Sequence, residues 1–137
     1  MAAIDHYSAL IYGMVLVSAS DGKMTDTELR AIGDIVRNFP VFRGFDPNNL
    51  IAVAQACTRV LNTNGDGLHA VLKLMHEALP ERMRETAYAC AVEVAAADVK
   101  LTREEARILE LLRDELRIDR LASAAIEHSA QVRHMQA

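Results

Sequence analysis

Two segments, Thr25-x-x-Glu28 and Thr102-x-x-Glu105, each set a hydroxyl three residues before a carboxylate, and each follows an aspartate, Asp21 or Asp98, by four positions. A Thr so placed accepts a hydrogen bond from the backbone N–H three residues on, while the Glu reaches back to the cap. Both segments therefore read as capping boxes worth about 1 kcal/mol each. Asn62-Thr63-Asn64-Gly65-Asp66-Gly67 opens like a calcium-binding EF-hand loop, with oxygen ligands at alternate positions and Gly at the sixth. Its twelfth position, however, is Lys73 where a bidentate Glu is required, and its eighth is His69, so it is expected to be a helix-to-helix turn. His69, Lys73 and His76 share one helix face at spacings of four and three, and the Lys between the imidazoles makes this a solvated stripe. Cys57 and Cys90 lie in apolar helical patterns with no metal-ligand spacing, which predicts buried, reduced thiols. No Ser or Cys nucleophile can be matched with a base, and the six glycines are too scattered to cradle a phosphate. The chain is accordingly not expected to be an enzyme.

These groups have to be positioned by a chain of 137 residues, a length that fits one domain with a real core. Hydrophobic residues at 51% against 25% charged exclude a disordered chain. Fifteen basic and nineteen acidic residues give a net charge of -4, with no basic tail, which argues against binding nucleic acid or anionic lipid. The longest apolar run, Ala9 to Val17, is far short of the ~20 residues needed to cross a bilayer. Asp5 and His6 stand where a signal peptide would be basic, so a cytoplasmic location is expected.

Strand signals are weak, whereas helix boundaries are plain. The pattern predicts an all-α single domain over residues 1–137, with about seven helices and a core spanning about 4–132. Helix one, from about Ile4 to Ser18, is apolar on nearly every side and should be central. Helix two starts at Thr25 with Leu29, Ile32, Val36 and Phe39 on its inner face. Helix three is capped by Asp46 with Pro47 at its first position. Helix four runs from about Gly67 to Leu79. Helix five runs from about Glu81 to Ala97 and from Thr86 onward has a single charge, Glu93, so it too should be central. Helix six begins at Thr102, and Asp119 caps a last helix to about Val132.

Shifting the chain by 77 positions matches Val15, Val17, Ala19, Asp21, Lys23, Thr25, Glu28 and Arg30 with identical residues from Val92 to Arg107, eight identities in sixteen positions. Each copy is an apolar helix, an acidic loop and an amphipathic helix. The expected assembly is a pseudo-two-fold domain with helices one and five packed together and both loops at one end.

At Ser20-Asp21-Gly22-Lys23-Met24-Thr25-Asp26-Thr27-Glu28 and Ala97-Asp98-Val99-Lys100-Leu101-Thr102-Arg103-Glu104-Glu105 the chain resembles the TerB family of tellurite-resistance-associated proteins. The resemblance spans roughly residues 4–120. It implies an all-helical bundle and a metal ion held by the paired acidic residues. It also implies a bacterial stress-response setting, and docking on a protein partner that can belong to a peripheral membrane complex. The second loop departs from the family pattern at Val99, where Gly is usual.

The implied ligand set is Asp21, Glu28, Asp98 and Glu105: four carboxylates with no thiol or imidazole, a set suited to Ca2+, Mg2+ or Mn2+. Tellurium oxyanions would be repelled by it. Thr25 and Thr102 remain explicable as caps alone, which leaves a ligand-free helical interaction module as the alternative. Both uses are compatible only if Glu28 and Glu105 keep one oxygen free of the cap.

Overall fold

The computed structural model describes residues 3–20, 22, 24–63, 65–97 and 101–137. Seven α-helices and no strand are found among them: α1 (His6–Ala19), α2 (Asp26–Asn38), α3 (Leu50–Leu61), α4 (Gly67–Ala78), α5 (Glu81–Ala96), α6 (Arg103–Leu116) and α7 (Arg120–Arg133). Asp5 caps α1 by accepting from the Ser8 N–H at 2.7 Å. Because apolar residues cover every side of it, α1 has no solvent face, and each residue from Ala9 to Ser18 is buried. It packs most extensively on α5 and also meets α4, α3, α6 and α2, which places it on the axis of the bundle. The Ser18 hydroxyl that this buries donates to Met14 O at 2.9 Å, as a buried polar group must.

Helix α5 forms the second central element, with Ala87, Tyr88, Cys90, Ala91, Val92, Val94 and Ala95 buried. Ala91 has no exposed surface, whereas Ala96 is only half-buried. The terminal helix α7 packs on α5. Both cysteines are fully buried, and burial pushes each thiol up to about 12. They are structural and unreactive.

Two expectations about local structure need correction. Asp46 and Pro47 open a 3-10 turn, Pro47–Asn49, and α3 proper begins at Leu50. Leu29, expected on the inner face of α2, is 51% exposed, and Glu28 is buried in its place. The capping carboxyl, and not the apolar pattern alone, sets the rotation of α2.

The Asn62–Gly67 stretch is a turn between α3 and α4; Asn64 lies outside the described residues. Asp66 caps α4 by accepting from the His69 N–H at 3.1 Å. Gly65 has φ +97, the left-handed region where a side chain is strained. Gly67 answers a different need, since a Cβ there would lie 2.2 Å from the carbonyl oxygen of Leu61.

Candidate functional site

The two capping boxes are formed as their spacing predicts. Thr25 Oγ1 accepts from the Glu28 N–H at 3.1 Å, and Glu28 Oε1 accepts from the Thr25 N–H at 3.0 Å. Thr102 Oγ1 accepts from the Glu105 N–H at 3.1 Å, and Glu105 Oε1 accepts from the Thr102 N–H at 2.9 Å. In each helix the third-position N–H and the N–H of the cap itself are thereby satisfied, and the two Glu side chains are drawn inward to 1% exposure each.

Each Glu thus has one oxygen engaged and one to spare. Glu28 Oε2 and Glu105 Oε2 are buried and have no hydrogen-bond partner among the described residues. Burial pushes the Glu28 carboxyl above the ordinary carboxylate range. Hydrogen bonds from Thr25 oppose that shift, and the neighbouring Glu105 carboxyl adds to it. The 77-residue offset therefore does bring two equivalent carboxyls together from separate halves of the chain.

Ala97, just after α5, and Thr27, in the first turn of α2, line a common cleft of about 340 Å3. Asp21 and Asp98, the other two expected ligands, lie outside the described residues, as do Lys23, Val99 and Lys100. Gly22 has φ +86, which explains Gly in the first loop. Among the described residues no group of three or more His, Cys, Asp or Glu is gathered as a metal would need. The two carboxyls lie close enough to hydrogen-bond to one another when one keeps a proton, and with both ionised their spare oxygens are donors of the type that a hard cation takes.

The histidine stripe is partly solvated, with His69 and Lys73 exposed. His76 departs from it: its Nδ1 lies 2.8 Å from Glu115 O and ties α4 to α6. Two polar clusters were not anticipated. Glu93 pairs through Oε1 with Arg133 at 2.6 Å and through Oε2 with His134 Nε2 at 2.7 Å. The buried Tyr88 donates its hydroxyl to Glu127 Oε2 at 2.6 Å, and Arg113 donates to both Tyr88 and Glu127. The lone charge of Glu93 in an apolar helix was the available signal for the first cluster. Nothing local marked the second.

The profile of the family described as Tellurite resistance protein TerB matches residues 7–128. The chain belongs to the TerB family. Comparison of this TerB chain with curated proteins and with solved structures gave no match. The matched region runs from α1 into α7, so it contains both capping boxes and both central helices of the TerB domain.

Proposed function

We propose that this TerB chain is a non-catalytic cytoplasmic module of a stress-response system that binds a divalent hard cation, Ca2+, Mg2+ or Mn2+, and docks on a protein partner. The reading is carried by one observation: Glu28 and Glu105 each hold a cap with one oxygen and keep a second, buried oxygen without a hydrogen-bond partner among the described residues. Asp21 and Asp98, repeated at the same offset, would complete an all-oxygen donor set. A cation bound there supplies positive charge to carboxyls that burial and mutual proximity otherwise destabilise. The first turns of α2 and α6 would be joined through it. Partner docking rests on family membership.

A ligand-free module is the second reading, favoured by the raised Glu28 pKa, because a proton kept on that carboxyl also relieves the repulsion. Thermal melts of chelator-treated protein with and without each cation separate the two. A ligand that binds only the folded state must raise the melting temperature. Under the cation reading the rise is present, and Glu28→Gln or Asp21→Asn abolishes it while leaving the apo protein no less stable. Calorimetric titration that shows no binding at millimolar metal leaves the ligand-free module standing.

A further inference from the structure

We infer that the open cleft between α5, α6 and α7 binds small neutral molecules that carry an amide on an apolar body. The cleft has a volume of about 750 Å3, inside the ~300 to 1,000 Å3 usual for small-molecule sites. Val92, Ala95 and Ala96 of α5, Ala106 and Leu109 of α6 and Ala130 of α7 form its apolar wall. Most of these are alanines, whose short side chains leave the space between the three helices unfilled. Neither Glu28 nor Glu105 lines the cleft, so the inference stands apart from the cation reading.

The polar part of the wall is built on a buried group. Tyr88 has no exposed surface, and its hydroxyl donates to Glu127 Oε2 at 2.6 Å and accepts from Arg113 Nη1 at 3.2 Å. Arg113 Nη1 also donates to Glu127 Oε2, at 2.9 Å. These bonds fix Arg113 and Glu127, both of which line the cleft, yet they use one guanidinium nitrogen and one carboxylate oxygen. Glu127 Oε1 and Arg113 Nε and Nη2 make no hydrogen bond among the described residues. A donor fork and an acceptor are therefore presented on a pair that is already held in place. An amide answers both: its carbonyl oxygen accepts from the guanidinium and its N–H donates to the carboxylate.

Charge decides against an ion as the head group. Every charged side chain on the wall already has its partner, since Glu127 faces Arg113, Glu110 faces Arg107, and the His134 imidazole is held by Glu93. A carboxylate or an ammonium entering the cleft must displace one of these partners or stay unpaired against an apolar wall. A neutral amide leaves each pair intact.

Three matched probes test the inference: phenylacetamide, phenylacetate and phenethylammonium, each titrated to about 20 mM into isotope-labelled protein with backbone amide chemical shifts as the readout. Phenylacetamide should bind with a dissociation constant on the order of 5 mM, as suits a probe of its size. It should shift the signals of Ala95, Leu109 and Ala130 and bind about tenfold more tightly than either ion. Glu127→Gln keeps the shape of the site but leaves Arg113 without its counter-charge, so phenylacetate should become the tightest of the three. Ala96→Leu tests the site without touching the polar pair: its added side chain enters the cleft and should weaken phenylacetamide about fivefold, with folding retained in a circular dichroism melt. A phenylacetamide titration that shifts no cleft residue, or whose shifts persist unchanged in Ala96→Leu, overturns the site. Ions that bind the wild type as tightly as the amide, or a folded Glu127→Gln variant that still prefers the amide, overturn the assignment of a neutral amide as ligand.

Discussion

Glu93 and His134, forty-one residues apart, meet at 2.7 Å, and Arg133 takes the other carboxylate oxygen. The one charge in the apolar part of a central helix thus pins the end of the last helix. Burial acts to raise the Glu93 pKa, but the hydrogen bonds and charges of His134 and Arg133 outweigh it and leave the group below the ordinary carboxylate range. A carboxyl lowered on folding contributes stability that is present above its unfolded pKa and is lost as pH falls through the folded value. Glu93→Gln should therefore cost about 1 kcal/mol at pH 7, discounted because Arg133 is half exposed. The deficit in urea midpoint relative to wild type should shrink as pH drops below the carboxylate range. A deficit that persists unchanged under acid would assign the loss to packing.

The caps give a second expectation. Thr25→Ala and Thr102→Ala each remove the acceptor for a first-turn N–H and loosen the Glu that the box holds, so each should cost about 1 kcal/mol in urea denaturation. Serine at either position should restore most of the loss, since it keeps the hydroxyl. Alanine variants as stable as wild type would mean that water satisfies these helix starts equally well.

Both boxes were legible in the sequence because capping is local: a Thr and a Glu three apart carry the whole geometry. The burial of α1 and α5 was legible for a similar reason, since a helix apolar on all sides has no face to offer water. Leu29 was misplaced because apolar periodicity names a face but not its centre, and the inward pull on Glu28 turned α2 past it. The meeting of Glu28 with Glu105 was readable through the repeat. The contacts of Glu127 with Tyr88 and of His134 with Glu93 join residues that share no repeat and no period, so only the packed chain displays them.

Ala91 and Ala96 both lie on the central helix α5, but the structure gives them different surroundings. Ala91 is fully enclosed, so Ala91→Phe should overpack the core at a cost of about 1 to 3 kcal/mol. Ala96 is half-buried and lines the cleft between α5, α6 and α7, where Ala96→Leu has room to enter. A comparison of the two melting temperatures checks this, and equal losses would mean that the cleft is closed in solution.

Gly65 and Gly67 stand two residues apart and should respond to alanine for different reasons. Ala at Gly65 meets nothing within 4 Å but must adopt φ +97, a strain of about 1 to 3 kcal/mol. At Gly67, which begins α4, helix propensity taken alone favours Ala by up to about 1 kcal/mol, so a purely local argument predicts stabilisation. The packing argument has the opposite sign: the new Cβ would sit 2.2 Å from the backbone oxygen of Leu61 and 2.9 Å from its Cα. Backbone cannot swing aside as a side-chain tip can, so α3 and α4 would have to separate at the turn. Gly67→Ala should therefore lower the urea midpoint, and by more than Gly65→Ala does. A raised midpoint for Gly67→Ala would show that the turn opens readily and that the close approach of the two helices is not what selects glycine there.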